Sequence, residues 1–194
     1  MGDRAIGYEP VKGYELCFEA VNTDLMAFFN RELRAVFGAD PFNDQTHALS
    51  SYPFSRDIQG LIAHDFEGTL NSGKMMSALH ERLGAMGIRY LSGSTLKGFE
   101  ECGPHIALEV ESALQSIPLH TQKMAFCTNA FTSAFFPELD INPGRGMVLV
   151  SKPIKGLKLQ GSFHYNKGYN YFRAIDNRIL LGGARHLDKE TEST

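Results

Sequence analysis

Two phenols and a guanidinium recur at alternate positions in Tyr169-Asn170-Tyr171-Phe172-Arg173. In an extended strand this spacing sets all three on one face. There they offer a planar apolar wall, two hydroxyl donors and a fixed cation, a set that suits a small carboxylated or aminated ligand. An aromatic sheet face packed on a partner presents the same residues, so residue type alone leaves both readings standing. Gly182-Gly183, at the end of the following apolar run, removes two side chains. That either permits a bulge or lets a flat ligand approach the backbone, and it favours a site.

Other candidate motifs carry less chemistry. Gly68-Thr69-Leu70-Asn71-Ser72-Gly73-Lys74 has the spacing of a phosphate-binding loop, but position 75 is Met where the magnesium-ligating hydroxyl belongs. Asp65 and Glu67 would also stand beside the phosphates, so the segment reads as a turn and cap at a helix start. His47, His64, His80, His105, His120, His164 and His186 share no ligand spacing, which makes a metal site unexpected and leaves them as surface or hydrogen-bonded histidines. Cys17, Cys102 and Cys127 form an odd, scattered set without a CxxC. They read as reduced thiols of a cytoplasmic protein, small core residues rather than nucleophiles.

The elements that must position these residues follow from periodicity. A helix is expected after Thr23 as N-cap, with Leu25, Phe29, Leu33 and Val36 on one face and Gly38 as its left-handed stop. The stretch from Gly38 to Phe54, with two prolines, reads as a connector. A second helix is expected after Ser72, with Met76, Leu79, Leu83 and Met86 on one face, ending at Gly87. Ile88 to Leu91 follows as a short strand, closing half of a β-α-β unit. Strands are expected over Thr95–Glu100 and His105–Glu111, and a short buried one over Lys123–Cys127. In the last third, strands are expected over Met147–Ser151, Ser162–Tyr165, Tyr169–Ala174 and Ile179–Gly183. Asp176-Asn177 forms a two-residue hairpin loop that sets Tyr171 opposite Gly182 and Arg173 opposite Leu180.

Composition bounds the class. The 194 residues are 43% hydrophobic, with 19 basic against 22 acidic side chains and a net charge of -3. A chain of this length buries roughly 70% of its unfolded surface, so its core needs no metal or disulfide. Balanced charge argues against a nucleic-acid partner. No apolar run approaches a membrane span, and Met1-Gly2-Asp3-Arg4 opens neither a secretory signal nor a myristoylation motif.

In this order the motifs resemble the middle of one family, the D-amino acid oxidase and glycine oxidase type of FAD-dependent oxidoreductases. Gly68 to Lys74 with the helix Met76 to Met86 is similar to the Gly-x-Leu-Asn turn and the helix that lies on the family's flavin domain. Ile88 to Leu91 resembles the next parallel strand, beside the adenine half of FAD, and Ser94 to Glu111 the β-meander after it. Ala125-Phe126-Cys127-Thr128-Asn129-Ala130-Phe131 resembles the family's strand and turn near the cofactor, here without its glycine and Trp. Pro143-Gly144-Arg145-Gly146-Met147 is similar to the Pro-x-Arg-Gly-Gln step into the substrate domain. The hairpin Tyr169 to Gly183 is similar to the Tyr-x-Tyr-x-Arg and Gly-Gly pattern of the amine-oxidising branch, the most specific of these likenesses.

The resemblance spans roughly Asp57 to His186 and has no counterpart of the family's G-x-G-x-x-G unit or of its second glycine-rich turn. It therefore implies an α+β or α/β fold of the glutathione-reductase-like flavoprotein type, lacking the N-terminal Rossmann unit. A mixed-sheet substrate-binding lobe (1–69 and 141–194) is expected, with part of a flavin-domain sheet (70–140). The implied activity is oxidation of a small amine or amino acid by hydride transfer to FAD. This chain is expected to be the substrate-binding part of a longer enzyme, weak in FAD affinity and inactive alone. Tyr169, Tyr171 and Arg173 are then expected to contact substrate, with Gly182 and Gly183 leaving room beside the ring, while Thr128 and Asn129 would meet the cofactor backbone. A non-catalytic small-ligand-binding or subunit-interaction module remains the alternative.

Overall fold

The computed structural model describes residues 2–141, 144 and 146–187. In chain order the regular elements are α1 (Asp3–Ile6), β1 (Gly13–Cys17), α2 (Thr23–Phe37), β2 (Phe42–Asp44), β3 (Gly60–His64) and α3 (Ser72–Ala85). Then come β4 (Ser94–Cys102), β5 (His105–Ser112), β6 (Ser116–Thr121), β7 (Val148–Val150), β8 (Ser162–Tyr165), β9 (Asn170–Ile175) and β10 (Arg178–Gly183). Two compact units divide them, one of Met1–Ala78 with Arg145–Glu192, the other of Leu79–Gly144. The boundary falls inside α3.

The first unit holds a seven-stranded sheet ordered β2-β3-β1-β8-β9-β10-β7. Only the β1–β8 pair is parallel, so the sheet is mixed and the fold is α+β. Alternation along the strands separates two faces. On one, Leu16, Leu61 and Phe163 are buried, and Tyr14, Tyr52, Phe54 and Phe172 pack against them. Tyr14 and Phe172 stack on Phe163 at 5.0 and 5.1 Å between ring centroids. Burying each large side chain of this kind contributes about 1.5–3 kcal/mol. A 3-10 turn over Thr46–Ser51 covers this face through Ala48 and Leu49. The opposite face carries the polar side chains. Across it one register row reads Asp44, Ile62, Glu15, His164, Tyr171, Gly182 and Val148. β7, the outer strand beside β10, leaves Val148, Leu149 and Val150 exposed.

The second unit is built on the antiparallel meander β4-β5-β6. Phe99 meets Phe126 at 5.2 Å, and Phe126 meets Phe136 at 4.7 Å, an aromatic cluster against the meander.

Several expectations are corrected. The cap of α2 is Asn22, whose Oδ1 accepts the Leu25 N–H at 2.9 Å, rather than Thr23. The connector after Gly38 contains β2 and the 3-10 turn. Ile88–Leu91 and Lys123–Cys127 are not strands, since no neighbouring chain among the described residues lies in register to pair with them. The β-α-β unit therefore does not form there. Cys102 and Cys127 are exposed rather than core residues, and all three thiols are free. Of the predicted step Pro143 to Met147, Pro143 and Arg145 lie outside the described residues. Among those described, no helix is long and apolar enough to cross a membrane.

Candidate functional site

The β9–β10 hairpin is closed by Asp176 and Asn177 at φ 48° and 57°. Two consecutive left-handed residues match the twist of the flanking strands, and they fix the register. Tyr171 lies opposite Gly182 and Arg173 opposite Leu180, as the spacing predicts. Tyr171 and Arg173 share the polar face, while Phe172 between them enters the core.

Tyr169 lies apart from that pair. It sits in the turn before β9, 50% exposed, with its ring 4.2 Å from that of His186. The two glycines also have a different use from the one expected. A Cβ at Gly182 would fall 2.6 Å from Tyr171 Cε2 and nearer still to the hydroxyl end of that ring. The space beside Gly182 thus belongs to Tyr171, which lies down across the neighbouring strand and remains 44% exposed on its outer side. Gly183, at φ 115°, lets the chain pass within contact of the Tyr169 carbonyl, which accepts the Ala184 N–H at 2.8 Å. Neither glycine opens room for a ligand.

Arg173 has no carboxylate partner among the described residues. It lines a cavity of about 380 Å³ together with Lys74 and Asn71 at the start of α3, and with Glu9 and Asp176. Asn71 caps that helix, its Oδ1 accepting the Lys74 N–H at 3.0 Å. The near-miss phosphate loop is thus a capped helix start, held also by the paired backbones of Glu9 and Thr69.

Next in the row from Tyr171, His164 of β8 faces Glu15 of β1, and the two form an ion pair. Its hydrogen bond to Glu15 raises the His164 pKa above the ordinary imidazole value. Partial burial opposes the rise, and the charges of Glu15 and Glu67 add to it. Sequence reasoning took His164 singly and missed this pair. Its only signal is that Glu15 and His164 each alternate with apolar neighbours, and only the parallel pairing of β1 with β8 joins them.

Thr128 and Asn129, expected at the cofactor, lie at the start of a 3-10 turn over Asn129–Ala134. Asn129 has φ 47°. Thr132 Oγ1 donates to the Asn129 carbonyl at 2.7 Å and lies 2.9 Å from Thr128 Oγ1. The Thr128 hydroxyl is thereby the donor of that pair, already used within the turn. Among the described residues no Gly-x-Gly-x-x-Gly turn joins a strand to a helix N-terminus, the cradle a dinucleotide pyrophosphate needs; the loop from β3 to α3 carries Gly68 but also Asp65 and Glu67. These residues alone do not fit FAD. Nor does any group of acidic, thiol or imidazole side chains among them fit a metal ion.

Residues 2–194 match the family model described as FAD dependent oxidoreductase. Among solved structures, the chain is similar to L-proline dehydrogenase from P. horikoshii, with a TM-score of 0.72 and 16% identity over 93% of this chain and 50% of that one. Glycine oxidase from Bacillus cereus ATCC 14579 matches with a TM-score of 0.68 and 13% identity, over 91% of this chain and 48% of that one. L-amino acid deaminase from Proteus myxofaciens, in complex with anthranilate, matches at 0.62 and 12%, over 94% and 43%. The chain thus spans about half the length of the structures it resembles. A comparison with curated protein sequences finds no match.

Proposed function

The chain belongs to the FAD dependent oxidoreductase family, and from that premise we propose that it supplies the substrate-binding face of an enzyme oxidising a small amine or amino acid. The observation that carries this reading is the β9–β10 hairpin, where Tyr171 and Arg173 stand side by side on the polar face in a register fixed by the Asp176-Asn177 turn. The similar structures, a proline dehydrogenase, a glycine oxidase and an L-amino acid deaminase, support the substrate class.

In this reading Arg173, which makes no ion pair among the described residues although Glu9 and Asp176 line the same cavity, receives a substrate carboxylate through its forked N–H groups. Tyr171, laid flat over Gly182, gives an apolar wall and a hydroxyl that can donate or accept at the amine. Tyr169, braced on His186, borders the same hairpin. These groups orient the substrate, which is the main protein contribution when a cofactor carries the redox step. The redox chemistry belongs to the family's flavin, and the described residues do not form its seat.

The test is kinetic, on the flavin-loaded enzyme. Arg173→Ala removes a charge-assisted hydrogen bond of about 1.5–3 kcal/mol and lowers kcat/KM on an amino acid at least tenfold. Tyr171→Phe gives a smaller loss. Unchanged kinetics for both variants remove this face from the reaction, and a longer enzyme containing this chain that folds but binds no flavin sinks the oxidoreductase reading.

A further inference from the structure

At the end of the sheet where β8 turns into β9 and β10 finishes, the backbone is strained in two segments that touch. The β8–β9 turn holds Asn166, Lys167 and Gly168 at φ 54°, 58° and 78°, and the segment leaving β10 holds Gly183 and Ala184 at 115° and 65°. Glycine adopts such angles freely and asparagine tolerates them, whereas lysine and alanine crowd their Cβ against the following carbonyl. Strain of this kind persists only where the surroundings over-determine it.

Here the contacts between the two segments do so. The Tyr169 N–H donates to the Asn166 carbonyl at 3.1 Å, closing the turn around Lys167 and Gly168. The Ala184 N–H donates to the Tyr169 carbonyl at 2.8 Å, and the Leu187 N–H to the Ala184 carbonyl at 2.9 Å, winding a 3-10 turn over Arg185–Leu187. That turn lays the His186 imidazole on the Tyr169 ring, 4.2 Å between centroids and tilted by 33°, with its Nε2 3.4 Å from Asn166 Nδ2. A side chain at Gly183 would coincide with the Tyr169 carbonyl, so the close approach needs glycine there. The corner also borders the polar face. Asn166 and Lys167 line a cavity of about 900 Å³ on that face, together with His164 and Glu15. Tyr169 opens the run that continues through Tyr171 and Arg173, and its half-exposed ring is held from the covered side by His186.

We propose that His186 is a positioning residue of the substrate-binding face: it touches no substrate, but it fixes the Tyr169 ring at the rim of the polar face, and the strained corner fixes both. The inference rests on the reading of the β9–β10 hairpin as that face. It adds to it a residue from outside the hairpin, and it gives the strain a use. A tyrosine ring ordered before the substrate arrives spares binding the entropy of ordering it later. Such an interaction serves the bound substrate and the transition state alike, so its loss falls on KM rather than on kcat. Because the contact is ring on ring, phenylalanine can replace histidine in it and alanine cannot.

Two measurements test it. In the purified chain, amide hydrogen exchange at Ala184, whose N–H is held on the Tyr169 carbonyl, is expected to quicken about tenfold in His186→Ala and to slow again in His186→Phe. In a longer enzyme containing this chain, His186→Ala is expected to raise KM for an amino acid about fivefold with kcat little changed, and His186→Phe to restore KM. Exchange at Ala184 that is the same in His186→Ala as in the unaltered chain overturns the proposal. So does a KM unmoved in His186→Ala while Arg173→Ala loses activity, or a loss that His186→Phe does not restore. The substrate reading fails separately, through unchanged kinetics in Arg173→Ala and Tyr171→Phe, whatever the Ala184 amide does.

Discussion

At the scale of residues, Gly182 and Tyr171 act as one unit. Gly182 is not in the left-handed region, so its backbone admits alanine; what excludes a side chain is the ring of Tyr171 lying over it. Overpacking of this kind costs about 1–3 kcal/mol. Gly182→Ala is therefore expected to lower unfolding stability by that amount in urea titration, and to cost much less in a Tyr171→Ala background. Equal losses in both backgrounds would detach the glycine from the ring. His164 gives a pH dependence with a definite sign. Its pKa is raised in the folded state through Glu15, so the pair's contribution is complete below the imidazole reference near about 6.5 and fades as pH rises through the folded value. Denaturation midpoints of the natural chain and of Glu15→Gln should converge over that rise. A difference that stays constant with pH contradicts the assignment. The tyrosines and the arginine were legible in the sequence because strand alternation is local; the Glu15–His164 pair was not, because β1 and β8 stand far apart in the chain and meet only in the fold.

At the scale of elements, the hairpin is the part the sequence specified most fully. Asp176 and Asn177 tolerate positive φ, their φ values are 48° and 57°, and the predicted register is the observed one. Glycine at position 177 would adopt this conformation without a Cβ clash, so Asn177→Gly should raise the thermal midpoint slightly, by the equivalent of about 0.5–1 kcal/mol, and Asn177→Val should lower it. A fall for the glycine variant would show that the Asn side chain matters more than its backbone. Helices α2 and α3 were equally legible from their spacing and their glycine stops. Strands whose existence depends on a distant partner were not. β1, β2 and β3 are short and mixed in character, yet they form because each finds a neighbour in register. Ile88–Leu91 and Lys123–Cys127 have better strand composition and find none among the described residues. β6 was hidden by Pro118, which is admissible there because β6 is an edge strand of its sheet.

At the scale of the whole molecule, folding and cofactor binding separate. The first unit has a complete aromatic and aliphatic core, while the described residues of both units offer no pyrophosphate cradle. The purified chain is accordingly expected to be colourless, and added FAD to leave its thermal midpoint unmoved, because a ligand stabilises only a state that binds it. A yellow preparation, or a midpoint rising with FAD concentration, would show a cofactor seat that the fold does not reveal. β7 has one further consequence. Its outer edge is paired with nothing among the described residues, and Val148, Leu149 and Val150 are all exposed. An apolar strand with an open row of amide and carbonyl groups is a template for another chain, and it lacks the inward charge or proline that usually guards such an edge. In concentrated solution this is where aggregation would nucleate, and a lysine in place of Leu149 is the simplest gatekeeper to add.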